Sequence, residues 1–264
     1  MYSIDNIPIT AETIANTYKK YYPAQFASSS KYNLVNLFGI RVSTSDTSQL
    51  DDYLGAIKLS SGYSTLDTYE MVVCRASLEP APMWISKPFD AEARSKGGAA
   101  FLKEGQHIYT YRSPRDSKPS WTDGGRNCSF CPSTPAQVYR WKPTTTEINL
   151  WRQKKQPLSA NFERELSTAR RNNFINTRVF LSTSRDTCIH KAWGTTLSTD
   201  SAGCQVIHPN DLPTFRTICS WAQQHLNKKY GNSFTYTLFT KEQFVAANSD
   251  PKSVFSVLKN IFGL

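Results

Sequence analysis

Apolar and polar positions alternate strictly along Ser233-Phe-Thr-Tyr-Thr-Leu-Phe239, the period-two pattern of a half-buried strand. Leu34–Val42 and Tyr69–Ala76 are apolar and β-prone. Gln137–Trp141 and Glu147–Trp151 read as further short strands, and Thr177–Thr183, with the apolar Arg178-Val-Phe-Leu181, leads towards His190. Ala99–Arg112 reads as strand, turn at Glu104-Gly105, strand. Helical spacing is confined to other stretches. Thr10–Tyr22 carries Ile14, Tyr18, Tyr21 and Tyr22 on one face, with Pro23 as its stop. From Asn210 to about Lys229, Phe215, Ile218, Cys219, Ala222 and Leu226 form a stripe. Thr240-Lys-Glu-Gln243 is a capping box for a short helix. Pro251 opens a last amphipathic helix with Val254, Val257, Leu258 and Ile261 on one side. Ser43–Asp52, Leu78–Gly98 and Ser113–Pro135 read as loops. This order predicts an α+β protein, mainly β. It lacks the strand–helix alternation of a doubly wound sheet, and no Gly-rich phosphate loop is present.

Composition narrows the classes. The chain has 264 residues, 39% of them hydrophobic, enough for a packed core. No apolar run approaches 18 residues, so no membrane span is expected. The first residues, Met1-Tyr-Ser-Ile-Asp-Asn-Ile-Pro8, do not have the basic-then-apolar form of a secretory signal. The net charge is +10 and uneven: Val138–Ala192 holds 11 Lys/Arg against 4 Asp/Glu. Such a stretch suits a solvated basic surface or an acidic polymer such as cell-wall material. No zinc-finger or RNA-recognition signature accompanies it, so nucleic acid is not an expected partner.

The sharpest chemical signal is His190, followed 14 positions on by Cys204 in Ser201-Ala-Gly-Cys204. β-prone residues flank both. A thiol attacks as thiolate and needs a group that takes its proton. Gly203 clears space for a substrate carbonyl and leaves backbone N–H groups to face an oxyanion. The six cysteines, Cys74, Cys128, Cys131, Cys188, Cys204 and Cys219, do not form a disulfide framework in a chain this long. Cys74 and Cys219 fall on a strand and a helix stripe and read as inert core thiols. Cys128-Ser-Phe-Cys131 lies in a predicted loop. It reads as two thiols, as a redox pair or local disulfide, or as half of a zinc site completed by Cys188 and His190. His107 reads as a surface residue, His208 as an alternative base near Cys204, and His225 as a residue at a helix C-terminus.

The run Ile189-His190…Ser201-Ala-Gly-Cys204 resembles the active-site signature of the L,D-transpeptidases of the bacterial cell wall. Leu34–Arg41, Gly98–Gln106, Val138–Arg140 and Gly231–Leu238 extend the likeness, over roughly residues 34–246, to small phage and bacterial proteins of that type. The resemblance implies a mainly β, sandwich-like domain with flanking helices. It implies Cys204 as nucleophile, His190 as base, Gly203 with the Cys204 backbone at the oxyanion site, and Ser201 holding the turn. Gln205 and Trp193 would meet the substrate, a peptidoglycan stem peptide. No metal or other cofactor is implied. Ala202 stands where the family has a second His. Gln205 stands near the place of a substrate-binding Arg, and Lys191-Ala192 follows His190 where the family has Gly-Thr.

These readings divide the chain into an N-terminal helix and hinge (1–30), an L,D-transpeptidase-like domain (31–248) and a C-terminal amphipathic helix (249–264). The expected setting is a phage virion or the cytoplasm of the infected host, with other virion proteins met through the terminal helices. The rival expectation is a structural tail or capsid-associated protein that uses the same fold without chemistry. A third is a binding module stabilised by metal at Cys128 and Cys131.

Overall fold

The structure is a computed structural model that describes residues 1–26, 35–42, 51–59, 69–78, 80, 99–111, 129–153, 158–185, 187–191, 203–226 and 232–249. Its strands are β1 (Ser3–Ile4), β2 (Ile7–Pro8), β3 (Asn36–Arg41), β4 (Asp52–Leu59), β5 (Tyr69–Ser77), β6 (Phe101–Leu102), β7 (Gly105–Tyr111), β8 (Ser129–Pro132), β9 (Ala136–Trp141), β10 (Val179–Ser184), β11 (Ile189–Lys191), β12 (Gln205–Ile207) and β13 (Phe234–Thr240). Its helices are α1 (Ala11–Tyr21), α2 (Thr145–Arg152), α3 (Leu158–Arg171), α4 (Leu212–Leu226) and α5 (Lys241–Asn248). The α+β class with strand in excess is as the sequence predicts. No helix among the described residues is long and apolar enough to cross a membrane.

Eight strands close into a barrel in the order β11-β12-β5-β4-β3-β13-β7-β8, and β8 pairs back onto β11. Two neighbouring pairs are parallel, β3 with β13 and β11 with β12. Closure, rather than the stacking of two sheets expected from the resemblance, leaves no open edge on this sheet. A second sheet, β10-β9-β6, stands apart from it.

Period-two alternation sorts the side chains into two faces. One set, with Leu37, Leu54, Ala56, Cys74, Tyr109, Phe130, Ile189, Ile207 and Tyr236, forms a single buried cluster with Phe215, Ile218, Cys219 and Ala222 of α4. The other set, with Phe38, Ile40, Ile57 and Phe239, packs under Ile14 and Tyr18 of α1 and Phe244 of α5. The N-terminal helix therefore buries its apolar stripe on its own barrel. Tyr18 donates to Leu37 O at 3.0 Å, and Asn248 of α5 donates to Thr13 O at 3.1 Å. Both helices begin with a capping box, at Thr240 as its sequence announces and at Thr10 with Thr13 in place of Glu or Gln. On the second sheet, Phe162, Leu166 and Ala169 of α3 cover Phe101, Tyr139, Trp141 and Val179.

Several elements differ from the sequence reading. Glu147–Trp151 belongs to α2, not to a strand. Thr144 and Glu147 exchange backbone and side-chain hydrogen bonds, and Arg178 grips Glu147, so a helix start overrides the short alternation. Helix α3 and strand β4 were not anticipated. Asp52, read as the end of a loop, is buried at the start of β4, and its carboxylate accepts from Val42 N and Leu78 N, both at 2.8 Å. The turn at Glu104-Gly105 is present, with Gly105 at φ +125°, but β6 and β7 do not form a hairpin. The chain crosses there from the second sheet to the barrel. Ser129–Pro132, placed in a loop, is the barrel strand β8. The expected C-terminal helix (251–264) lies outside the described residues.

Candidate functional site

The pairing of β11 with β12 gathers the motif. The two strands are parallel, with Ile189 opposite Gln205 and His190 opposite Val206. Gln205 N donates to Cys188 O at 2.7 Å, which closes the first pair of the ladder. Ile189 and Ile207 belong to the interior cluster, and the Gln205 carboxamide accepts from the buried Tyr236 hydroxyl. Alternation then turns Cys188, His190 and Val206 to the other side of the sheet. Cys204 immediately precedes β12, so residues 14 apart in sequence come to neighbouring segments, one on β11 and one in the turn that leads into β12. His190 is buried, 5% exposed, and Cys204 is half-buried with a reduced thiol.

The turn ahead of Cys204 is tightly seated. A Cβ on Gly203 would lie 2.9 Å from Ala100 O and 3.0 Å from Ala100 Cβ, closer than real Cβ atoms come. Glycine is required here for close approach of the turn to the Ala100 backbone. Behind it, the Tyr109 hydroxyl donates to Thr187 O at 2.7 Å, one residue before Cys188. Burial is the main cause that raises the Tyr109 pKa well above that of an ordinary phenol, against its hydrogen bond with Thr187, so this ring remains a neutral donor. Tyr109 meets Tyr236 edge-on with ring centroids 5.0 Å apart. The two tyrosines fix β11 and β12 from inside the barrel, and neither was singled out from sequence.

The cysteine arrangement corrects the sequence reading. Cys131 is bonded to Cys188, 57 residues away, rather than to Cys128. It sits on β8, and the bond ties β8 to the start of β11. Oxidised sulfur cannot serve as a thiolate ligand, so the proposed zinc site of Cys128, Cys131, Cys188 and His190 does not form in this state. Among the described residues no group of three or more His, Cys, Asp or Glu side chains is placed to hold a metal. Cys74 and Cys219 are buried and reduced, as read. Burial raises the Cys74 thiol to about 12, which keeps it inert.

The remaining candidates separate. Gln205 is fully buried with its side chain turned into the barrel, on the opposite side from His190, so it holds strands rather than meeting a ligand on the motif's face. Ser201, Ala202 and Trp193 lie outside the described residues, as does Cys128. His208 is not placed as a base for Cys204: its Nδ1 accepts from Asn210 N at 3.0 Å and caps the turn that opens α4. His107 Nε2 contacts Lys103 O at 2.8 Å, and burial lowers its pKa. His225 lies in the last turn of α4, as read, and is buried there: it accepts from Val35 N at 3.4 Å and its ring centroid lies 4.6 Å from that of Phe234.

The basic stretch is also partly internal. Arg170 and Arg41 converge on Glu104, and Arg178 bridges Glu147 and Glu165. Burial alone would raise the Glu104 pKa. The two guanidinium groups outweigh it and hold the carboxyl below its usual range. These pairs tie the charges of Arg170 and Arg178 to carboxylates while both side chains stay partly exposed. No model of a known protein family, no curated protein and no solved structure matches the chain.

Proposed function

We propose that the chain is a cysteine-dependent acyl-transfer protein with Cys204 as nucleophile and His190 as its base. The observation that supports the reading is the β11–β12 register, which puts His190 on β11 beside the strand that Cys204 immediately precedes. His190 takes the thiol proton, and the thiolate attacks a carbonyl carbon. The leaving amine departs with the proton held by His190, and a thioester to Cys204 remains. Water or a second amine then releases the acyl group, giving hydrolysis or crosslinking. The Gln205 N–H is committed to Cys188 O, so the oxyanion donors of this proposal lie at the Gly203–Cys204 turn.

The likeness to L,D-transpeptidases supplies the substrate class, peptidoglycan stem peptides, and the setting, a phage virion or the infected cell. Support for the family reading is local: the Gly-Cys turn, the histidine strand beside it, and a strand-rich body. A second reading, a non-catalytic virion component on the same scaffold, is favoured by the 5% exposure of His190 and by the inward turn of Gln205.

Release of peptides from purified peptidoglycan distinguishes the two. The enzyme reading expects release by the wild type and loss of at least a hundredfold in Cys204→Ala, on the scale of removing a nucleophile, with a similar loss in His190→Ala. Equal release, or none, from wild type and Cys204→Ala sinks it in favour of the structural reading.

A further inference from the structure

Three cysteines, not one, meet at the mouth of β12. Cys131 on β8 is joined to Cys188 immediately before β11, and the β11–β12 register, carried one step back, sets Cys204 directly across from Cys188. The Gln205 N to Cys188 O bond at 2.7 Å closes the first pair of the ladder, so the backbones of the two cysteines that precede that pair lie side by side. Opposed residues on adjacent strands have Cα atoms about 5 Å apart, within the span that a disulfide bridges without backbone movement. The Cys204 thiol is reduced. His190 lies two residues beyond Cys188 on the same strand with the same parity.

From this juxtaposition we propose a disulfide-exchange switch at the nucleophile: the Cys204 thiolate attacks Cys188 Sγ, and the bond moves from Cys131–Cys188 to Cys188–Cys204. One S–S bond forms as one breaks. Cys131 leaves as thiolate and takes up a proton, matching the one Cys204 gave up to His190 or water. No electrons are gained or lost, so no external oxidant is needed. In the Cys131–Cys188 form the nucleophile is available. In the Cys188–Cys204 form it is masked, and β11 is stapled to β12 instead of to β8. That the masked form is the inactive one rests on the acyl-transfer reading of Cys204; the exchange itself does not. Glutathione-type thiols catalyse this interchange without shifting it, because both forms hold one disulfide and one thiol at the three sulfurs, so whatever stabilises one staple over the other is the regulating input.

The test is disulfide mapping by mass spectrometry after rapid alkylation at low pH, on the full chain equilibrated with a mixture of reduced and oxidised glutathione. Wild type is expected to give peptides linking Cys188 to Cys131 and others linking Cys188 to Cys204. Cys131→Ser is expected to shift Cys188 wholly to Cys204, with at least tenfold slower alkylation of residue 204. Cys204→Ser is expected to hold the Cys131–Cys188 link alone. Cys188 joined only to Cys131 in wild type at every glutathione ratio overturns the proposal. So does Cys188 left alkylated, or joined to Cys128, in Cys131→Ser. Should Cys131→Ser fail to fold by circular dichroism, the wild-type and Cys204→Ser maps decide alone. Peptide release from peptidoglycan, followed in parallel, separates the two ideas. A Cys188–Cys204 link in a protein with no activity under any condition leaves the exchange standing and removes the acyl-transfer reading.

Discussion

At the scale of single residues, chemistry was legible where identity alone announces it. A histidine, a Gly-Cys turn and β-prone flanks are visible in the chain, and the fold pairs the histidine's strand with the strand that follows the turn. What was not legible is direction. Gln205 follows Cys204 and was read as a substrate contact, but one residue along a strand is a change of face, and its amide lies against Tyr236. Disulfide partners are equally hidden: Cys131 is three residues from Cys128, but the ladder brings it to Cys188. Gly203 offers a direct check. The clash of a Cβ with the Ala100 backbone predicts that Gly203→Ala costs about 1–3 kcal/mol in denaturant unfolding. A variant as stable as wild type would mean that the turn is not seated against Ala100 as described.

Among elements, those with their own end signals were readable. The α1 stripe, the capping box at Thr240, the α4 stripe and the alternation of β13 all lie within short windows of sequence. The elements missed were those whose identity comes from outside the window. Glu147-Ile-Asn-Leu-Trp151 alternates weakly, and the helix wins because Thr144 and Arg178 hold Glu147. Arg178 is the main cause that lowers the Glu147 carboxyl to about 2. A depressed carboxyl stabilises the fold above the unfolded value near 4.3 and loses that contribution as pH falls towards 2. Thr144→Ala is expected to cost about 1 kcal/mol at neutral pH through loss of the cap, read as a lower urea midpoint. An unchanged midpoint would show that the cap contributes nothing and that packing alone holds α2. Strands β6 and β7 give the complementary lesson. Their turn was visible, but a turn fixes a hairpin only when both strands pair with each other, and here β6 pairs with β9 and β7 with β8 and β13.

For the whole molecule, the class followed from the local patterns and the closure did not. Barrel closure depends on pairings between distant segments, such as β3 with β13 and β8 with β11, which no local periodicity encodes. One of those closures carries the Cys131–Cys188 bond. Its reduction is expected to lower stability by about 2–4 kcal/mol, seen as a lower thermal midpoint in a reducing buffer. Closure also buries Asp52 between β3 and the end of β5. Burial is the main cause that raises its carboxyl to about 7, against the backbone donors from Leu78 and Val42. A raised acid favours the fold fully below its unfolded value near 3.9, and that contribution is lost as pH rises through 7. Between pH 5 and 8, Asp52→Asn should therefore flatten the fall in stability that wild type shows; a parallel pH profile in the two proteins would reject that assignment. The central claim, that His190 activates Cys204, is tested most directly by the alkylation rate of Cys204 against pH in wild type and in His190→Gln, with Cys74 and Cys219 as internal references. The account predicts that Cys204 in wild type reacts with a midpoint below the ordinary thiol value of about 8.5, and that His190→Gln moves the midpoint up and slows the reaction at pH 7 at least tenfold. A Cys204 that labels no faster than Cys74 and Cys219, with a profile indifferent to His190, would contradict it.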